Sequence, residues 1–200
     1  SSLRGTAEII LDEFPEDHPK REFGEIMLKE VDRLNATVNE ILQFSKGKIL
    51  FGKDQPAESL SEVISRVIRL LEPHLRKKIV ALQVDSCPEA DTFLVDGGKM
   101  SQVFLNIILN AIDVLEMDGR INLIIRAEEK EMVIVVSDNG PGIPENMRQD
   151  IFQPFVSAKE HGTGLGLSIS AKIIEGIGGQ ISVSESGEGG ACFAVSLPRA

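Results

Sequence analysis

The sequence predicts an α+β fold, a two-layer α/β sandwich whose mixed sheet is covered by helices on one face, preceded by an antiparallel helical hairpin. Three observations lead there. The first 46 residues hold two helical apolar periodicities separated by Pro15-Glu16-Asp17-His18-Pro19. Beyond them, short Val- and Ile-rich runs alternate with longer amphipathic stretches. Two glycine clusters, at 138–143 and 162–167, interrupt that pattern and mark a loop rather than an element.

Taken in order, residues 1–14 read as a helix with Leu3, Ala7, Ile10, Leu11 and Phe14 on one side. The proline-flanked turn breaks it. A second helix over 21–45 carries Phe23, Met27, Val31, Leu34, Val38 and Ile41, and from Met27 onward the spacing is that of a heptad seam. A hairpin of this size has too little core to stand alone, so residues 1–46 are expected to form a homodimer through a four-helix bundle, the alternative being a hairpin packed on its own globular domain. Residues 47–56 read as a linker, and 57–200 as the globular domain. Within it, helices are expected over 59–78, 99–116 and 165–176. Strands are expected over 79–84, 93–95, 121–127, 132–137, 180–184 and 191–197, with Gly187-Glu188-Gly189-Gly190 as a turn.

Composition narrows the function. Of 200 residues, 42% are hydrophobic and 26% charged, which suits a soluble globular chain able to bury a core. A formal net charge of −10 argues against general binding to nucleic acid or to anionic membranes. It does not argue against a nucleotide held with Mg²⁺ in a local pocket. Cys87 and Cys192 have neither metal-ligand spacing nor a disulfide framework, as fits a reducing, cytoplasmic setting. No apolar run approaches the roughly 20 residues of a membrane helix. No membrane contact by these residues is expected; a membrane anchor elsewhere in a parent protein stays open.

The candidate site rests on three groups of residues. Asn106 and Asn110 lie four apart in a very apolar helix, which puts both amides on one face. Buried amides need partners, and an amide oxygen is a hard ligand suited to Mg²⁺. The same pair could equally line an exposed stripe or bond a neighbouring loop. Asp138 ends an apolar strand and could accept from a ligand's amine, or simply start the Asn-Gly turn that follows. Glycines let the backbone approach phosphate oxygens, and the helix start after Gly166 offers free N–H groups. A dinucleotide fold is not expected: Val156-Ser157-Ala158-Lys159-Glu160-His161 does not make a buried strand, and the glycines lack the Gly-x-Gly-x-x-Gly spacing.

The order of four boxes is the specific signal: Asn106-x-x-x-Asn110-Ala111, Asp138-x-Gly140-x-Gly142-Ile143, Phe152-x-x-Phe155, and Gly162-Thr163-Gly164-Leu165-Gly166-Leu167. It resembles the ATP-binding domain of sensor histidine kinases, within the superfamily that includes DNA gyrase and mismatch-repair ATPases. The run Glu30-Val31-Asp32-Arg33-Leu34 and the ending Leu42-Gln43-Phe44-Ser45 are similar to the second helix of that family's dimerisation and phosphotransfer hairpin.

The resemblance implies roles and partners. The cofactors would be ATP and Mg²⁺, and Asn110 would ligate Mg²⁺ with Asn106 near the phosphates. Asp138 would accept from the adenine amino group, with Gly140, Gly142 and Ile143 shaping the base pocket. Phe152 and Phe155 would anchor a lid, and Lys159 would contact phosphate. Gly162, Thr163, Gly164, Leu165, Gly166 and Leu167 would wrap the triphosphate. The γ-phosphoryl would pass to a histidine and then to an aspartate on a response-regulator receiver domain. One departure matters: the family's acceptor histidine, with its following acidic residue, has no counterpart here. His18 lies in a turn, His74 late in a helix and His161 in the lid. This chain alone is therefore expected to bind ATP without phosphorylating itself.

Overall fold

The computed structural model describes residues 14, 18, 21, 23–29, 31, 57–157 and 163–199. The chain divides into two compact units, Ser1–Gly47 and Lys48–Ala200. In the first unit, Arg21, residues 23–29 and Val31 are helical. Ahead of them the Arg21 guanidinium donates to the Phe14 carbonyl at 2.8 Å, and the Phe14 and His18 rings stack with centroids 4.7 Å apart. Residues 1–13 of the expected first helix, the heptad seam beyond Val31 and the 47–56 linker lie outside the described residues, and Phe14, its expected last residue, is a bend.

The second unit is built from β1 (Ala57–Ser59), α1 (Leu60–Lys78), β2 (Ala81–Ser86), β3 (Leu94–Asp96), α2 (Gly97–Val114), β4 (Arg120–Ala127), β5 (Glu131–Asp138), α3 (Gly166–Gly176), β6 (Gln180–Glu185) and β7 (Ala191–Pro198). The main sheet has five strands in the order β2-β4-β5-β7-β6. Only the β2–β4 pair is parallel, so the sheet is mixed as the sequence predicts. Strict alternation along β4, β5 and β7 turns Ile121, Leu123, Ile125, Met132, Ile134, Val136, Phe193, Val195 and Leu197 to one buried face. The helices supply the other half of the core with Leu60, Val63, Val67, Val103, Phe104, Ile107, Ile108 and Ile174. At about 25 cal/mol per Å² of apolar surface, each such side chain contributes roughly 1.5–3 kcal/mol.

Two elements differ from expectation. The strand expected at 93–95 does not join the main sheet. Instead Leu94–Asp96 pairs antiparallel with Ala57–Ser59, a three-residue strand whose Ala-Glu-Ser sequence carries no alternation to signal it. Ile79 is not a strand residue but the left-handed cap of α1, at φ 55°, and the strand starts two residues later. Nothing in Ile79 favours that conformation. It follows from Val80, whose N–H returns to the Leu75 carbonyl at 2.9 Å while its side chain enters the core.

The helices are fastened to each other by polar side chains. Ser59 and Glu62 make a reciprocal capping box at α1, and Asp96 caps α2 through the Lys99 N–H at 3.0 Å. Arg66 of α1 pairs with Glu58 and donates to the Gly97 carbonyl at 3.2 Å and the Ser101 hydroxyl at 3.0 Å. At α1's other end, Lys78 reaches the last turn of α2. Among the described residues no helix is long and apolar enough to cross a membrane.

Candidate functional site

β5 is the central strand, and its even-numbered residues face the helices. Asp138, the last of them, therefore brings a carboxylate to the buried side, where it is 4% exposed. Such a group is costly unless hydrogen-bonded. Its Oδ1 accepts from the Gly140 N–H at 2.9 Å and from the Ala191 N–H at 3.2 Å. The Asx turn onto Gly140 is thus real, and it occupies only one of the two oxygens.

Small residues surround this carboxylate by necessity. A Cβ on Gly190 would overlap both the Asp138 carbonyl oxygen and Oδ1. One on Gly140 would lie 3.0 Å from Oδ1 and 3.3 Å from Val114 Cγ2. Gly142 has φ 72°, and its Cβ would stand 2.9 Å from the Gly189 carbonyl. Hence the β6–β7 turn, which the sequence marks only as a turn, packs against the first glycine box. Its position is held by the Arg120–Glu188 ion pair at 2.8 Å. Ile143 is half-buried against the core.

Opposite lies α3. Its first turn contains no acidic residue, and its N-cap, Leu165, offers no side-chain bond. The leading N–H groups of a helix are orphan donors, and among the described residues the N-cap supplies no side-chain bond to them. Leu165 is fully buried and its own N–H bonds weakly to Thr163 Oγ1, at 3.4 Å. Asn106 ties this turn to α2: its Nδ2 donates to the Gly166 carbonyl at 2.9 Å and to Ser170 Oγ at 3.2 Å. Ser170 was not legible as part of the site, because it lies 64 residues from its partner. Asn110 is half-buried one helical turn further along the same face, and Leu167 packs partly into the core.

Between the two ends, Phe152 packs edge-on against Phe193, with centroids 6.5 Å apart. Phe155 differs from its expected anchoring role. It is 67% exposed at φ 67°, and its backbone N–H meets the Gly164 carbonyl at 3.1 Å. Gly164 adopts φ 68°, and a Cβ there would lie 2.6 Å from Phe155 C and from the Val156 carbonyl oxygen. Glycine is required at that crossing. Lys159, His161 and Gly162 lie outside the described residues.

The donor set fits a nucleotide with Mg²⁺. Among the described residues no group of three or more His, Cys, Asp or Glu could hold a metal. Mg²⁺ needs no such cage, since it takes one or two protein oxygens beside water and phosphate. The two asparagine amides provide that donor type.

Comparisons with known proteins point the same way. Residues 95–200 match the family of histidine kinase-, DNA gyrase B- and HSP90-like ATPases. The chain is 32% identical over 99% of its length to the sensor histidine kinase ZraS of Salmonella typhi, covering 42% of that protein. It is 33% identical over 98% of its length to the sensory histidine kinase/phosphatase NtrB of Vibrio alginolyticus, covering 57% of it. The chain thus spans about half the length of these relatives. The nucleotide-free catalytic domain of histidine kinase ThkA superposes with a TM-score of 0.67 at 32% identity, over 73% of this chain and 96% of that one. Full-length ShkA in complex with AMPPNP superposes with a TM-score of 0.77 at 25% identity, over 98% of this chain and 42% of that one. ThkA in complex with the response regulator TrrA gives 0.75 at 26% identity, over 100% and 57%. The matched region runs from β3 to the end of the chain and takes in α2, the Asp138 loop and the α3 turn: this protein belongs to the histidine kinase-, DNA gyrase B- and HSP90-like ATPase family.

Proposed function

We propose that the chain is the ATP-binding catalytic part of a sensor histidine kinase. The observation that carries this is one arrangement along α2: a buried carboxylate with a spare oxygen beside its last turn, a helix start without a capping side chain bonded to Asn106 two turns earlier, and Asn110 on the stretch between. Asp138 Oδ2 accepts the adenine amino group, and Gly140, Gly142 and Ile143 shape the floor. The α3 turn and the segment from Lys159 to Gly164 hold the triphosphate. Asn110 ligates Mg²⁺ through its amide oxygen, and Asn106, whose Nδ2 already serves α3, offers Oδ1. Bound Mg²⁺ supplies charge neutralisation at the phosphates; this chain's residues supply position, which is most of what phosphoryl transfer asks of a protein.

The γ-phosphoryl then passes to a histidine and on to an aspartate of a response-regulator receiver domain. Support for that partner comes from ThkA, a relative seen in complex with a response regulator. Homodimerisation through the hairpin, residues 1–46, and a cytoplasmic setting complete the reading. Calorimetric titration with Mg·ATP tests the site. Asn110→Ala and Asp138→Ala should each weaken binding about tenfold or more, the loss of a hydrogen bond or ligand involving a charged partner. Wild-type affinity in both variants would defeat the assignment.

A further inference from the structure

α1 holds α2 at both ends with cations. The Arg66 anchor joins helix to helix near Gly97, whereas the Lys78 anchor leads toward the Asp138 pocket. Lys78 Nζ donates to the carbonyls of Ile112 at 2.8 Å, Asp113 at 2.9 Å and Leu115 at 2.9 Å. Carbonyls of a last helical turn lack intrahelical donors, and an ammonium there also complements the helix dipole. The chain that follows is tied to the same point. The Asp118 N–H donates to the Lys78 carbonyl at 3.3 Å and the Ala81 N–H to the Gly119 carbonyl at 2.9 Å.

The Leu115 side chain, 4% exposed, is the link to the site. A Cβ on Gly119 would lie 2.8 Å from Leu115 Cβ, and one on Gly140 would lie 3.6 Å from Leu115 Cδ2. Leu115 is thus wedged between the two glycines, beside Val114. Gly140, on its far side, donates its N–H to Asp138. We propose that Lys78 is a positioning residue for the base end of the site: by fixing the Val114–Leu115 wall on which Gly140 rests, it sets where Asp138 presents its free oxygen. The inference rests on reading Asp138 as the acceptor for the nucleotide base.

The test is Mg·ATP titration of the 200-residue chain at a temperature where circular dichroism shows each variant folded. Lys78→Met should weaken ATP binding about threefold or more, and Lys78→Gln, which keeps a short amide donor, should fall between it and wild type. Hydrogen exchange separates positioning from general loosening. The Gly140 amide should lose protection in Lys78→Met while amides 100–107 of α2 keep theirs. Wild-type affinity in a folded variant, or equal loss of protection along all of α2, would overturn the proposal. If Lys78→Met does not fold, Lys78→Gln carries the same comparison. A wild-type chain that binds no ATP would overturn the functional reading and this inference together. Binding that Asp138→Ala abolishes and Lys78→Met leaves unchanged would overturn the inference alone.

Discussion

The two ends of the site are built on opposite terms. At the proposed base end the protein satisfies itself: Asp138 Oδ1 is bonded twice to backbone, and Gly140 and Gly190 close around it with little slack. At the proposed phosphate end α3 begins without a side-chain cap, and its first turn is joined to α2 by the amide of Asn106, next to the buried Leu165. The other two helices start with capping side chains, Ser59 with Glu62 and Asp96. The contrast supports the proposal that the uncapped start of α3 is part of the site. In the proposed reading, the tightly packed end would receive the base and the end without a side-chain cap would receive the anion.

That comparison breaks most decisively at Gly190. Gly190→Ala places a methyl against the Asp138 backbone and carboxylate, neither of which can yield without moving the central strand. A loss of about 3 kcal/mol is expected in denaturant unfolding. A loss below about 1 kcal/mol would mean that the base end is softer than described. At the phosphate end, Asn106→Ala removes both bonds to α3 and should cost about 1–2 kcal/mol, or about 3–6 °C in Tm. Because the lost contacts seat α3, its amides should lose exchange protection while those of β5 do not. Uniform loss across both would erase the distinction between the two ends.

The smallest effect concerns the capped helix used as the reference. Burial pushes the Asp96 carboxyl up, but the Lys99 N–H, the Lys99 ammonium and the Gly98 N–H together outweigh it, and the net shift is downward. A carboxyl with a lowered folded pKa binds fewer protons folded than unfolded. Its stabilisation is therefore full above the ordinary aspartate value of about 3.9 and fades as pH falls through the folded value. Thermal melts of Asp96→Asn should show a shallower loss of stability below that pH than wild type. Parallel acid curves would remove Asp96 as a charged cap.

Much of this was legible in residue order. Helix and strand periodicities placed β4, β5, β7 and all three helices of the second unit to within about two residues, because each buries one continuous face. Asp138, the asparagine pair and the glycine boxes announced themselves as residue types that apolar elements do not tolerate without reason. What stayed hidden depended on partners distant in the chain. β1 exists only because Leu94–Asp96 pairs with it, and Ile79 turns left-handed only because Val80 must reach the core.

The sequence by itself determined the alternation that builds the sheet, the glycines that admit tight backbone crossings, and the four-box order that names the family. Those are local or ordinal properties, readable one residue at a time. Tertiary structure alone decided which oxygen of Asp138 is occupied, that Asn106 spends its amide on α3, and that Gly190, far along the chain, joins Gly140 of the first box beside the carboxylate. Hydrogen-bond geometry and contact distance arise between segments many residues apart, and no periodicity records them.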